Sequence, residues 1–245
     1  MPRPTPPAAP IQLTLDQARR LTGHGGWRPG AGRPRGRKKR DHAARERFAA
    51  RFPQHVTLRI VEHVPSLRRE RALRVVRHAI EAGGHRDEFR VVHFSVQGNH
   101  IHLLCEASGA VALSRGMQGL AVRLARRLNP MLGRTGKLFA ERYHARTLRT
   151  PREVRNVISY VLLNARRHAA ERGQTLSKFW LDPCSSAPWF DGWRERVRAD
   201  EPWLRELMGR RCPTARARTW LASMGWRRWG LLGIDEVPGG RGRGS

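Results

Sequence analysis

Acidic residues, cysteine and long apolar runs are all scarce in this chain of 245 residues. The chain has 20 Asp and Glu against 48 Lys and Arg residues, which gives a formal net charge of +28. A surplus of this size makes a polyanion the expected partner, above all a nucleic acid. No stretch reaches the ~18–20 apolar residues that a membrane span requires, so we expect no membrane partner.

The three cysteines are too few and too far apart to organise a fold. Cys105, Cys184 and Cys212 give neither a disulfide framework nor a Cys-x-x-Cys zinc pattern. The first ten residues are crowded with proline and lack the hydrophobic core of a signal peptide. We therefore expect a reducing, intracellular compartment.

Residues 1–53 form the first of three regions that differ in composition. They are rich in proline, glycine and positive charge, and we expect a disordered basic tail. Within the tail, the segment Gly-Arg-Pro-Arg-Gly-Arg at 32–37 resembles an AT-hook. Such a motif would place Arg33, Arg35 and Arg37 in a narrow minor groove, with Lys38 and Lys39 adding charge. The alternative is a generic basic arm that only neutralises phosphate.

Residues 54–172 show the periodicity of a folded domain. Apolar alternation predicts strands, and apolar residues at helical spacing predict helices between them. Ser66 is the expected N-cap of the first helix, which ends at Gly83 and Gly84. The order is β-α-β-β-α-β, an α+β fold of the ferredoxin-like type. The elements are predicted at residues 55–64, 66–83, 88–97, 100–107, 113–132 and 136–149.

Two histidines one residue apart stand out in the third predicted strand. Side chains alternate along a strand, so His100 and His102 point to the same face, just after a two-residue hairpin signal. Two adjacent imidazoles form half of a divalent-metal site; the alternative is two partly buried histidines with hydrogen bonds only. His93 and Ser95 share this face, and we expect it to be too polar for a second core layer.

A further helix is predicted to start at Thr150 and to end near Arg172. Thr150 is the cap, Pro151 occupies the first turn and Glu153 completes a capping box. Tyr160 and Asn164 lie one turn apart on the flank of its apolar face. Tyr160 is either a tyrosine at the edge of the core with a solvent-exposed hydroxyl or a reactive phenol that faces the histidines.

The two motifs together resemble a known family. Gly-Asn-His100-Ile-His102 followed by Tyr160-Val-Leu-Leu-Asn164 is similar to the single-tyrosine HUH transposases, IS200-like, and most closely to their REP-associated group. Two positions depart from the family pattern, because Gly98 and Ala165 stand where prolines are usual. The resemblance covers about residues 55–170 and gives residues 54–172 as an HUH single-tyrosine domain.

The resemblance implies a reaction and its participants. His100, His102 and Asn164 would hold Mg²⁺ or Mn²⁺, and Tyr160 would cut single-stranded hairpin DNA to leave a 5′-phosphotyrosine. Arg166 and Arg167 would contact DNA, and the location would be the bacterial cytoplasm at the nucleoid. Because the motif has one tyrosine, concerted chemistry on two strands would need a homodimer or sequential reactions.

Residues 173–245 form the third region, a Trp- and Arg-rich extension with short helices and a disordered end. Seven of the eight tryptophans lie here, from Trp180 to Trp229. They are either a satellite core on the catalytic domain or a platform on which unpaired bases stack.

Two other functions share parts of this pattern. RNA-recognition domains have the same element order, so a domesticated, non-catalytic DNA- or RNA-binding protein is one alternative. Such domains display aromatic side chains where this chain has His93, Ser95, His100 and His102, a difference that favours chemistry. A hydrolase that uses the histidine pair to activate water is the other, and it would not need Tyr160.

Overall fold

The structure is a computed structural model that describes residues 46–239 together with Thr14 and Gln17. Residues 46–239 belong to one compact unit. The AT-hook-like segment with Arg33, Arg35, Arg37, Lys38 and Lys39 lies outside the described residues, as does the chain end from residue 240.

A four-stranded sheet forms the centre of the unit. Its strands are β1 (Gln54–Arg59), β2 (Phe89–Val96), β3 (His100–Ala107) and β4 (His144–Thr147). They lie in the order β2-β3-β1-β4, and every neighbouring pair is antiparallel. With one helix after β1 and another after β3, this order confirms the α+β, ferredoxin-like prediction. The strand predicted at 136–149 is reduced to the four residues of β4.

Two helices, α1 (Glu70–Gly83) and α2 (Ala110–Met131), cover one face of the sheet. Their apolar sides pack on β1, β2 and β3 to form the first core, which includes Phe94, Ile101 and Leu103. The prediction that Ser66 caps α1 is wrong. Its hydroxyl oxygen accepts from the amide of Arg68 in a turn, and the helix begins at residue 70.

Helix α3 (Pro151–Glu171) covers the opposite face of the sheet. The predicted capping box is present, since the Thr150 hydroxyl accepts from the Glu153 amide at 3.2 Å and the Glu153 carboxylate accepts from the Thr150 amide at 3.0 Å. An RNA-recognition domain leaves this face open for bases. Here most of it is covered by α3.

A second core fills the contact between α3 and the sheet, so the expectation that this face is too polar is wrong. A β-bulge between Val91 and His93 turns Val92 toward α3, where it joins Leu104 from β3. The helix supplies the rest of this core from Val154, Val157, Ile158, Val161 and Leu162. The polar side chains are left at one end of the face, where the histidines lie.

Residues 173–239 wrap around α3 and the sheet. They contain two short helices, α4 (Pro202–Gly209) and α5 (Trp220–Ser223), and the 3₁₀ turns Ala187–Trp189 and Gly225–Trp229. Trp193 and Trp226 are buried in the second core, and Asp182 binds Arg68 at 2.8 Å. Among the described helices, none combines the length and the apolar character that crossing a membrane requires.

Candidate active site

The histidine pair lies at the start of β3 beside β1. In the antiparallel register His102 is opposite Thr57 and His100 is opposite Arg59. The two imidazole rings are nearly parallel, with 6.2 Å between centroids and 9° between planes. The strand alternation predicted this side-by-side placement, and the structure has it.

Each imidazole is oriented through its Nδ1 atom. His100 Nδ1–H donates to the side-chain oxygen of Asn99 at 2.7 Å, and His102 Nδ1 is hydrogen-bonded to the hydroxyl of Thr57 at 3.2 Å. A histidine whose Nδ1 is held in this way presents Nε2 as its ligating atom. Asn99 and Thr57 are therefore positioning residues, and sequence reasoning did not single them out for that role.

Both imidazoles are held in the neutral form. Burial, followed by the neighbouring His55 and His100, lowers the pKa of His102 to about 3. Burial and the Arg59 charge also lower the pKa of His100. A metal ligand must offer an unprotonated nitrogen, so these two side chains fit the donor set of a divalent ion. The described residues contain no cluster of three or more His, Cys, Asp or Glu that could hold an ion.

Tyr160 of α3 lies against the histidine pair within the same chain. Its ring centroid is 5.1 Å from that of His102, with the two planes at 84°. His55, from β1, lies 5.7 Å from both rings. Burial and nearby Arg146 lower the pKa of His55 to about 4, so it forms an uncharged wall beside Tyr160. Strand alternation could have found His55, because it shares the Thr57 face of β1.

A cleft of about 830 Å³ opens beside these residues. One wall carries His100, His102 and Tyr160. The other is built from the last turns of α3 and the segment that follows, including His168, Arg172 and Trp180. His168 is hydrogen-bonded through Nδ1 to the Glu171 carboxylate at 2.8 Å.

Asn164 does not line this cleft. Its side chain is fully buried, and neither amide atom has a hydrogen-bond partner in the part of the chain that the structure describes. The backbone departs from helical geometry at the preceding residue, Leu163, with φ −109° and ψ 15°. The role of Asn164 as a third metal ligand stays a prediction.

The two neighbouring arginines of α3 have different surroundings. Arg166 is only 6% exposed, and its guanidinium donates to the backbone carbonyls of Leu176, Ser177, Lys178 and Trp180. These carbonyl partners give the Arg166 guanidinium a structural role, and its predicted contact with DNA stays a prediction. Arg167 lies over the Tyr160 ring at 5.5 Å and binds Glu171 at 2.9 Å, at the surface.

The residues of the site fall inside a segment that matches a known family. Residues 51–163 match the model of the family described as "Transposase IS200 like". This part of the chain is similar to IS200-like transposases. The matched segment includes His100, His102 and Tyr160 and stops one residue before Asn164.

A solved structure of a REP-associated tyrosine transposase bound to a REP hairpin is similar to this chain at 16% identity. The alignment has a TM-score of 0.45 and covers 58% of this chain and 80% of that one. No curated protein matches the chain.

Proposed function

We propose that the chain cleaves and rejoins single-stranded hairpin DNA through a covalent bond to Tyr160. The observation that carries the proposal is the contact between the Tyr160 ring and the His102 ring inside one chain, at the edge of an open cleft. It brings a nucleophile and two neutral nitrogen ligands to the same place.

The proposed reaction begins at the phenol of Tyr160. The Tyr160 oxygen attacks the scissile phosphorus, and the bond from phosphorus to the 3′ oxygen breaks. The phenolic proton is lost to solvent in the cleft, and the leaving 3′ oxygen takes up a proton to become a hydroxyl. The 5′-phosphotyrosine retains the phosphodiester linkage, so a 3′ hydroxyl of another strand reverses the step and joins to it without a nucleotide cofactor.

His100 and His102 are the residues that would hold a divalent ion, each through Nε2. When bound, such an ion polarises a phosphoryl oxygen and stabilises charge on the leaving oxygen. Imidazole ligands suit Mn²⁺ better than Mg²⁺, which prefers an all-oxygen shell. The hydrogen bonds from Asn99 and Thr57 support this role, because they direct both ligating nitrogens without using them.

Single-stranded DNA as the substrate is supported by charge and by access. The net charge of +28 favours a polyanion, and Arg172 lines the cleft. The backbone of an unpaired strand is flexible and can bring a phosphate to Tyr160. A duplex is too stiff to bend into a cleft of this size. The contact within one chain supports a site that one copy completes, with two strands cut in sequence or by two copies.

The test is a covalent-adduct assay. Purified protein is incubated with Mn²⁺ or Mg²⁺ and labelled single-stranded hairpin DNA, and the labelled protein is resolved under denaturing conditions. We expect an adduct with the parent protein and none with Tyr160→Phe. The double variant His100→Ala, His102→Ala should also lose the adduct while it keeps most of its DNA affinity, since arginines supply that affinity.

The possible outcomes separate the competing functions. Cleavage that persists in Tyr160→Phe without any adduct would assign the site to a metal hydrolase that activates water. Tight binding with neither cleavage nor adduct would assign the protein to non-catalytic DNA recognition.

A further inference from the structure

Two tryptophans of the extension remain at the surface after the others have packed. Trp226 is buried in the second core, whereas Trp220 is 51% exposed and Trp229 is 54% exposed. The Trp220 ring packs closely on Gly225, because a Cβ added at Gly225 would lie 2.7 Å from it. Half-exposed indoles at fixed positions bury too little area to be explained as core.

An arginine side chain lies over each of these two exposed indole rings. The guanidinium carbon of Arg228 lies 5.0 Å from the Trp220 ring centroid, and that of Arg152 lies 5.3 Å from the Trp229 centroid. Neither Arg152 nor Arg228 forms an ion pair with any residue in the described part of the chain. We call these four side chains, Arg152, Trp220, Arg228 and Trp229, the aromatic-basic patch.

Adjacent arginines differ in this respect. Arg227 binds Asp191 at 3.2 Å, and Arg155 binds Glu236 at 2.9 Å while it donates to the carbonyl of Gly230. Those two charges are compensated; Arg155 connects α3 to the residue after the 3₁₀ turn, and Arg227 connects the turn to Asp191. The patch therefore has a rigid base with two uncompensated charges and two aromatic rings above it.

The patch lies outside the catalytic cleft but on the same helix as the nucleophile. None of its residues lines the cleft. Arg152 is in the first turn of α3, and Tyr160 follows eight residues later. At 1.5 Å and 100° per residue, Tyr160 is about 12 Å further along the helix axis and about 80° around it. A strand that leaves the cleft toward the start of α3 would reach the patch within a few nucleotides.

We propose that the aromatic-basic patch binds unpaired nucleotides of a DNA strand outside the catalytic cleft. Bases stack on an indole face whatever their sequence, and the arginines bind the phosphates between them. A duplex keeps its bases stacked on one another and offers only its backbone. A second copy of this chain is a poorer partner, because two chains of net charge +28 repel each other. The proposal goes beyond DNA cleavage and does not depend on Tyr160 chemistry.

The experiment uses the full chain with Tyr160→Phe, so that no cleavage occurs. The probe is an oligothymidine of about 20 nucleotides that carries 5-iodouracil, and a duplex of equal length is the comparison. Ultraviolet crosslinks are located by mass spectrometry, and affinity is measured by fluorescence anisotropy. We expect crosslinks at Trp220 or Trp229 in the protein without further changes. The double variant Trp220→Ala, Trp229→Ala should bind the single strand at least about fivefold more weakly, with little effect on the duplex.

Two controls separate stacking from folding and from net charge. Trp220→Phe with Trp229→Phe keeps aromatic faces and should retain most of the affinity. Arg152→Gln with Arg228→Gln should weaken binding more than Arg126→Gln with Arg127→Gln, which removes two exposed charges from α2 across the sheet. These measurements do not require cleavage, so their outcome is independent of the outcome of the adduct assay.

The proposal is overturned if crosslinks avoid both tryptophans and the double alanine variant binds the single strand like its parent. It is also overturned if the patch variants abolish a concentration-dependent dimer while DNA affinity stays constant, since the patch would then bind a second copy.

Discussion

Removing the Asn99 side chain should weaken metal binding without disturbing the fold. In the structure, Asn99 accepts the Nδ1–H of His100 at 2.7 Å and is exposed. The described residues include no non-glycine residue with positive φ, so alanine fits the backbone at 99 without strain. Its own carbonyl still accepts from the Ile60 amide in Asn99→Ala. The change therefore removes one orienting bond only.

The expected size follows from the role of such bonds at metal sites. Loss of a partner that orients a ligating histidine costs about 10- to 100-fold in affinity, or about 1.4–2.8 kcal/mol. Thr57→Val removes the longer bond to His102, at 3.2 Å, and should cost less. Asn99→Asp keeps an acceptor at the same place and should restore affinity.

The assay is a Mn²⁺ titration followed by the electron paramagnetic resonance signal of the free ion, on Tyr160→Phe protein without DNA. Thr147→Val is the matched control, since the Thr147 hydroxyl donates to Gln54 in the same sheet and contacts no histidine. Affinities for Asn99→Ala and Thr147→Val that agree within twofold would refute the reasoning.

Three further predictions concern α3 and its surroundings. Arg166→Ala should lower the melting temperature by several degrees, because the charged hydrogen bonds to residues 176–180 are worth about 1.5–3 kcal/mol. Arg167→Ala should leave the melting temperature unchanged and weaken DNA binding. Calorimetry and fluorescence anisotropy on both variants check these two expectations. Thr150→Ala should cost about 1 kcal/mol in urea unfolding through loss of the helix cap, and a change below 0.2 kcal/mol would contradict it. Burial lowers the pKa of His93 to about 4, against a weaker opposite effect of Asp191. The unfolded chain then binds more protons between pH 6.5 and 4, so the free energy of unfolding should fall as pH decreases through that window. His93→Gln should make this dependence shallower, while His55 and His102 keep their own contributions, and a slope equal to the parent's would show that His93 does not contribute.

Local rules predicted the parts of the site that lie on one element. The alternation of a strand places His100 and His102 side by side, and the capping box fixes the start of α3 at Thr150. The motif order on this fold pointed to the IS200-like transposases, and the family match confirms that identification.

Features that depend on pairing between elements were missed. The bulge beside Val92 reverses the face of one residue, and no local signal in β2 reveals it, so the second core was not foreseen. His55 joins the site only because β1 and β3 pair in a particular register. Arg166 and Arg167 are chemically identical neighbours, and only the path of residues 176–180 decides which one is buried.

The placement of Tyr160 against the histidines of its own chain can be tested by mixing variants. Tyr160→Phe protein and His100→Ala, His102→Ala protein are each inactive in the proposed reaction, and they are combined with labelled hairpin DNA and Mn²⁺. A site completed within one chain predicts no adduct in the mixture, while the parent protein under the same conditions gives one. Adduct formation in the mixture would mean that the tyrosine acts on the histidine pair of another copy, and it would contradict the account.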